Sequence, residues 1–525
     1  MLLHDLASSF SNAESNRLFT DTVLQTEIAA VARPTPFAFI RRLTPRWVLL
    51  IVCALFVLQV LPYLSYRWVT DESWYAGPGL SLALGEGLKD PAIGPNDIEN
   101  HVDARPPGTA LVIAAAFKTF GIGQVAARLG SVFAGLFTIL LTYLLARRWF
   151  GRHVALFTAL LIGTDNLLIL SSRTARPEAF TILFVLLSLL LVDRYYRSSL
   201  PLFAAAAGLG AAIGTMFHIT LLGYIVSSVL LLSWIDYSHG KFPLRGSVLY
   251  SAGFVCGLMP YAVWVFTTPR GVEGFRAEFL SRAATASLLE KFLQEGRRYS
   301  DVLGLHLLPG HLLGSLPIRL PIPLFLLFSG WVLWRCRARW FYLALVLTVP
   351  SLLWFIYTVN KSSRYLTLLS PVTALVVGAA IAATLHHRHL RRLMMVGAGM
   401  VIVAQFAGNL TLLAAARKAN YHVLASELRN AVPDGEGVYG TITFWLAFHD
   451  QPYISYERTW PLDAEKQFHV RYFIAGDRMM QLGDDRDNFY EKLNQQMKDI
   501  EARSDVVRNI EDPYYGHLSV YRLHR

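Results

Sequence analysis

The stretch 47-WVLLIVCALFVLQVLPYLSYRWVTDESWY-75 decides the fold class. From Trp47 to Tyr66 it carries no charged side chain. An apolar run of about 18 or more residues reads as a helix that crosses a membrane. Asp71 and Glu72 follow directly. Carboxylates just past the end of a span sit where water meets lipid headgroups. Taken alone, they fit an acidic helix start with Thr70 as its N-cap, favoured by the helix dipole. They equally fit a general base acting on a substrate held at the membrane surface. Farther on, 101-HVDARPP-107 offers Arg105, a cation able to hold a phosphate.

The rest of the chain repeats the apolar pattern. Further runs fall near 124–146, 153–171, 177–192, 200–217, 219–235, 247–267, 321–335, 340–358, 365–385 and 393–415. Together they give about eleven spans. Of 525 residues, 54% are hydrophobic and 16% charged, against about a quarter charged in soluble domains. The fold class is therefore an α-helical polytopic membrane protein. The net charge of +11 would suggest nucleic acid in a soluble protein. Here the basic residues cluster between apolar runs, as the positive-inside rule requires, and no nucleic-acid partner is expected. Membrane lipids are partners, and anionic lipid or a phosphate-bearing substrate accounts for any remainder. Cys53, Cys256 and Cys336 lie in or at the ends of apolar runs without metal-type spacing, so neither a disulfide nor a zinc motif is read.

Residues 1–46 are polar and mixed and read as a cytoplasmic tail, not a signal peptide. Arg41, Arg42 and Arg46 precede the first span. The later basic clusters are Arg147-Arg148 with Arg152, Arg194 with Arg197, Lys241 with Arg245, Arg335 to Arg339, and His386 to Arg392. All fall on one side only if the short segment 108–120 does not cross. That segment reads as an interfacial helix opened by Pro106-Pro107. The first outer loop is then 67–123, a second long outer loop is 268–320, and everything beyond about 416 is also outside. The transmembrane domain is assigned to 47–415 and a small α/β extracytoplasmic domain to 416–525. In that domain, strands are expected near 437–444, 453–456, 470–474 and 518–523, and helices near 418–430 and 489–502.

Three further places carry candidate chemistry. In 171-SSRTARPEA-179, Arg173, Arg176 and Glu178 lie at an outer mouth where the chain re-enters the membrane. A carboxylate there marks a functional site or a structural ion pair with a neighbouring arginine. In 360-NKSSRY-365, Lys361, Arg364 and Tyr365 place cations on the side opposite the basic clusters, where they suit a lipid-linked phosphate or ordinary headgroups. Loop 268–320 reads as a lid over a lipid groove or a plain amphipathic cover. His101 and Asp103, with His306 and His311, are weak candidates for a divalent metal, since their spacing is not diagnostic. No other cofactor is indicated.

The acidic pair, the Arg-Pro-Pro motif, 125-VAARLGSVFAGLFTILLTYLLARRWFGRHVALFTALLI-162 and 171-SSRTARPEAFTILF-184 together resemble the C-type glycosyltransferases (GT-C fold). More narrowly, they resemble the protein O-mannosyltransferase and aminoarabinose–lipid A transferase branch. The likeness is good over about 65–195 and thinner at 360-NKSSRYLTLLSPVTALVVGAA-380.

This resemblance implies a polyprenyl-phosphate sugar donor of the undecaprenyl or dolichyl type, an extracytoplasmic active site and inversion at the sugar. It implies Asp71 as base and Arg105 as donor-phosphate ligand, in place of the family's lysine. Glu178 would be the second acidic residue, and Lys361, Arg364 and Tyr365 a late-loop basic region. Ala104 stands where some relatives carry an acidic metal ligand, which argues against that metal site in the same form. Glu72 joins Asp71 and Glu178 as a catalytic candidate, and Arg173 and Arg176 join the phosphate-binding set. The acceptor would be a glycan, a lipid such as lipid A, or a protein, and the location a bacterial inner membrane. The competing readings are a transporter or flippase of lipid-linked sugars and a non-catalytic envelope-assembly protein. Against transport stands the absence of visible inverted repeats.

Overall fold

The computed structural model describes residues 45–91, 105–240, 244–268, 271–275, 287, 289–295, 321–336, 340–357, 363–416, 419–457, 459–476 and 489–524. Helix α1 (Pro45–Val60) continues into a 3₁₀ turn at Leu61–Tyr63. Two helices of the first loop follow, α2 (Thr70–Leu84) and α3 (Gly108–Phe120). Further membrane-domain helices are α4 (Gln124–Phe150), α5 (Arg152–Gly163), α6 (Asn166–Ser172), α7 (Glu178–Ser198), α8 (Pro201–Thr215), α9 (Leu222–Ser238) and α10 (Arg245–Thr267), with a short helix at Gly271–Phe275 and then α11 (Pro321–Arg335), α12 (Trp340–Tyr357), α13 (Ser370–Ala383) and α14 (Arg388–Ala416).

Among the described residues, seven helices are long and apolar enough to cross a membrane, or eight if α5 and α6, which meet at 58°, form one broken span. The other three expected spans are occupied by shorter apolar helices at Pro201–Thr215, Phe325–Arg335 and Leu343–Trp354. Helix α3 has 13 residues. At 1.5 Å per residue it is about 20 Å long, against about 30 Å of bilayer core. It packs along α2.

The two ends of α4 differ in chemistry. Arg128 lies in its first turns and Arg148 near its last, 20 positions on, which is about 30 Å along the axis. Arg148 and Arg197 pair with Asp193 on α7, and the Trp149 indole donates to the same carboxylate at 3.0 Å. Arg128 meets the start of α2 at the other end. Between them runs one apolar core that joins α1, α4, α5, α7, α13 and parts of α9, α11 and α14.

The C-terminal region has helices α15 (Tyr421–Ala431), α16 (Pro461–Phe468) and α17 (Phe489–Glu501) around a five-stranded sheet. Its strands are β1 (Val438–Gly440), β2 (Tyr453–Ser455), β3 (Tyr472–Gly476), β4 (Ser504–Asp512) and β5 (Gly516–Leu523), in spatial order β2-β1-β3-β5-β4. β1 runs parallel to β2 and β3, while β5 is antiparallel to β3 and β4. The strand expected over 437–444 stops at Gly440, and Ile442–Phe448 forms a buried 3₁₀ segment. β4 is a strand the sequence does not announce. It is an edge, mostly exposed on both faces, so it lacks the alternation that marks a half-buried strand.

This region is seated on the first loop. Tyr421 donates its backbone N–H to Ser65 O at 3.0 Å, and Asn420 bridges Tyr66. Trp68 is fully buried, with its ring 6.3 Å from Tyr421 and its carbonyl accepting from the Tyr515 hydroxyl. One apolar cluster contains Trp68, Ala76 and Leu80 of the loop, Ile113 and Phe117 of α3, and Phe444, Trp445 and Leu518 of the C-terminal region.

Candidate active site

Helix α2 begins where α1 has ended and the chain turns back. Its N-cap is Val69, not Thr70, and Glu72 supplies the cap by accepting the Val69 N–H at 3.0 Å. Glu72 has no exposed surface. Its Oε1 accepts from Arg128 Nε at 2.7 Å and from Ala175 N at 2.7 Å, and its Oε2 from Arg128 Nη2 at 2.6 Å. Arg128 also donates to the carbonyls of Tyr63, Leu64, Tyr66 and Arg67, at 2.7–3.1 Å. One guanidinium thus ties off four carbonyls of the turn between α1 and α2. A buried ion pair this completely hydrogen-bonded offsets its desolvation. Glu72 therefore anchors the loop, with both of its oxygens accepting from Arg128 and from backbone N–H groups.

Asp71, one residue earlier, points the other way. Its side chain is 53% exposed, and Oδ2 accepts from Nη1 of Arg176. Arg176 is buried and gives its other donors to Glu178, at 3.0 Å and 3.2 Å from Nε and 2.6 Å from Nη2. Burial alone would pull the Arg176 guanidinium down, but Glu178 and then Asp71 outweigh it and hold it well above its ordinary value. Arg176 and Glu178 are both enclosed and engaged with each other. The ion pair that is one reading of Glu178 in the sequence is formed with Arg176, and Arg176 in turn meets Asp71.

Tyr75 follows Asp71 by one helical turn and shares its face. Burial pushes its phenol well up, against the pull of Arg176 and Arg105, so the hydroxyl keeps its proton at all ordinary pH. Tyr365 also acts on this phenol and places the 3₁₀ segment Ser363–Leu369 beside it. Tyr365 is buried, with its ring centroid 4.8 Å from the ring of His218. Arg105 stands over the Trp74 indole at 4.5 Å and donates to Trp74 O at 3.4 Å. Arg173 lies over the ring of Tyr63 at 4.0 Å. Both guanidinium groups are half-buried.

The Arg105 turn is fixed by a close approach. Gly108 N donates to Met216 O at 2.7 Å, and a Cβ at Gly108 would come within 2.7 Å of that oxygen. Only glycine lets the first-loop turn sit against the α8 end that leads into His218.

The structure thus brings Asp71, Tyr75, Arg105, Arg176, Glu178 and Tyr365 to one mouth. Arg364 lies on the Ser363–Leu369 segment. Lys361, His101 and Asp103, with most of loop 268–320, lie outside the described residues. Among the described residues no group of three or more His, Cys, Asp or Glu could hold a metal ion. Tyr75, Arg128 and His218 join the site without having been singled out. Tyr75 was signalled by its i, i+4 spacing from Asp71, and Arg128 by its charge inside an apolar run.

Residues 104–265 match the family described as Dolichyl-phosphate-mannose-protein mannosyltransferase. A curated relative, an uncharacterized protein of Aquifex aeolicus, is 31% identical over 130 residues, which is 25% of either chain. The match therefore spans a quarter of that relative's length. ArnT from Cupriavidus metallidurans bound to undecaprenyl phosphate superposes with a TM-score of 0.60 at 14% identity, over 91% of this chain and 98% of ArnT. The Archaeoglobus fulgidus oligosaccharyltransferase superposes with a TM-score of 0.51 at 12% identity, over 91% of this chain and 73% of that one. Both structures are GT-C glycosyltransferases, and the likeness runs the length of the chain. This protein is an integral membrane protein with the GT-C fold.

Proposed function

We propose that the protein is a glycosyltransferase that moves a sugar from a polyprenyl-phosphate donor to an acceptor outside the cytoplasm, with inversion. The observation that carries this reading is the Asp71 carboxylate, half exposed and held from beneath by an arginine that Glu178 itself fixes. Arg176 sets the orientation of the carboxylate. Asp71 takes the proton from the acceptor hydroxyl or amine as its oxygen or nitrogen bonds to the anomeric carbon. The bond from that carbon to the phosphate oxygen breaks, and the electron pair leaves with the lipid phosphate.

A phosphate monoester leaves readily only where its charge is met. Arg105 and Arg173 are guanidinium groups suited to this, each propped on an aromatic ring, and the protonated Tyr75 hydroxyl near Arg105 is a further hydrogen-bond donor. In this reading Lys361 and Arg364 add positive charge for the phosphate, and Tyr365 a hydroxyl. The basic clusters between the apolar runs support a mouth on the side away from the cytoplasm, in this reading of a bacterial inner membrane.

The test is transfer of labelled sugar from a panel of polyprenyl-phosphate sugars to extracted membrane acceptors, comparing wild type with Asp71→Asn. Transfer that requires Asp71 is the expected result. Undiminished transfer by a folded Asp71→Asn protein would overturn the base assignment. Failure of every donor with complete acceptors would overturn the reaction class.

A further inference from the structure

Deeper in the membrane domain, α5 and α6 break at 163–166, and the break is filled with polar groups. Asp165 caps α6 by accepting the Leu168 N–H at 2.8 Å. The same oxygen accepts from the Ser370 hydroxyl at 2.8 Å, and the other oxygen from the Gln405 amide at 3.4 Å. The carbonyls freed by the break also have partners. Gly163 O accepts from Gln59 at 3.5 Å and Thr164 O from Asn409 at 3.0 Å. Asp165, Ser370, Thr373 and Gln405 face a small cavity walled by Leu161, Phe325 and Val401.

What Asp165 connects is more telling than the cap itself. Helix α6 leads straight into Arg173, Arg176 and Glu178. Ser370 opens α13 directly after the Ser363–Leu369 segment that bears Arg364 and Tyr365. A second tie, Ser171 to Thr367 at 3.0 Å, lies nearer the mouth, and the Tyr224 hydroxyl donates to Leu368 O at 2.7 Å. The Arg173–Glu178 stretch and the segment that bears Tyr365 thus lead from elements that share one carboxylate within the membrane domain. A carboxylate in that setting is costly unless it has a task.

We propose that Asp165 is a positioning residue that sets these two stretches at the separation a lipid-linked phosphate needs. The inference rests on the donor reading above. Without the carboxylate, α6 and α13 lose their common acceptor, and Arg173 and Tyr365 drift relative to one another. Weaker phosphate capture follows, while the Asp71 chemistry is unchanged. A plain helix cap would lower stability and leave capture alone.

The experiment titrates undecaprenyl phosphate onto the full chain in lipid nanodiscs, for wild type, Asp165→Ala, Asp165→Asn and Asn409→Leu. Melting temperatures are measured alongside. Asp165→Ala is expected to weaken binding by up to roughly thirtyfold, the upper end of coupling carried through packed networks. Asp165→Asn keeps the oxygen that accepts from Leu168 and Ser370 and should bind within about threefold of wild type, since a single neutral hydrogen bond is at stake. Asn409→Leu damages the same core on its other side and should lower the melting temperature without weakening binding. Once a donor sugar is known, the Asp165→Ala KM for donor should rise while kcat holds.

Binding by Asp165→Ala at wild-type affinity overturns the inference and leaves the donor reading intact. Failure of wild type itself to bind undecaprenyl phosphate overturns the donor reading and this inference with it. Should Asp165→Ala not fold, Ser370→Ala removes only the hydroxyl. It is expected to weaken binding in the same direction, and unchanged affinity there overturns the inference equally.

Discussion

The start of α2 carries two carboxylates side by side, and each belongs to a different region of the molecule. Glu72 turns into the protein, where Arg128 grips it with two donors and neither group has more than 1% of its side chain exposed. Asp71 turns out to the mouth, pairs with one guanidinium donor of Arg176 and keeps half its side chain open. The same chemical pair, carboxylate and arginine, is a rivet in one place and a poised group in the other. The distinction comes from the remaining hydrogen-bond capacity. Arg128 has four backbone carbonyls besides Glu72, and Glu72 has two backbone N–H groups besides Arg128. The Asp71–Arg176 contact is one-sided, with Glu178 holding the arginine from behind.

That contrast can be broken by experiment. The largest effect is expected for Asp71→Asn. Loss of a general base costs about 10²- to 10⁴-fold in rate, while the melting temperature should stay within a degree or two because the group is exposed. Sugar transfer and a thermal melt on the same preparation check it. Glu72→Ala should do the reverse, destabilising by about 3–5 kcal/mol by leaving Arg128 buried and unpaired. If Glu72→Ala melts like wild type, the rivet is misassigned. The double variant Glu72→Leu with Arg128→Met sharpens the point. Removing both charges should recover part of the stability lost by either single change, although the carbonyls of the turn then lack their donor.

A smaller effect is expected at Ser73, whose hydroxyl donates to Ile442 O at 2.8 Å and accepts from the Trp68 indole at 2.7 Å. Ser73→Ala should cost about 1–3 kcal/mol through the buried groups it leaves unsatisfied. The smallest belongs to Arg429, which pairs with Asp450 and Asp434 on the surface. Arg429→Ala should change stability by no more than about 1 kcal/mol, less in high salt. Denaturant titration resolves both.

The membrane character was legible in the apolar runs, and the short first-loop helix in the charge balance of the turns. The mouth was legible because Asp71, Arg105 and the Arg173–Glu178 stretch are ionisable groups at span ends, where charge is costly and stands out. Roles within the mouth were not legible. Nothing in the string Asp71-Glu72 says which side chain faces inward; that is fixed by Arg128, 56 residues away. Arg176 has the residue type of a phosphate ligand and equally of an ion-pair partner for Glu178; what the fold adds is Asp71 on the same guanidinium. Strand β4 escaped because an exposed edge has no periodic burial to write into its sequence.

The seating of the C-terminal region on residues 65–73 has a consequence for how the protein comes into being. Thr70 meets Thr443 across 373 positions and Trp68 meets Tyr515 across 447. At ribosomal rates of about 5–20 residues per second, roughly 20 to 90 s pass between the emergence of Trp68 and of its last partner. Throughout that interval Trp68 has its early neighbours in α2 and α3 but not the Tyr515 hydroxyl that its carbonyl accepts from. The mouth is therefore completed last, only in chains whose final hundred residues have reached the same side of the membrane as the first loop. A chain truncated or misthreaded before that point carries every ionisable group of the mouth and still lacks the assembled site.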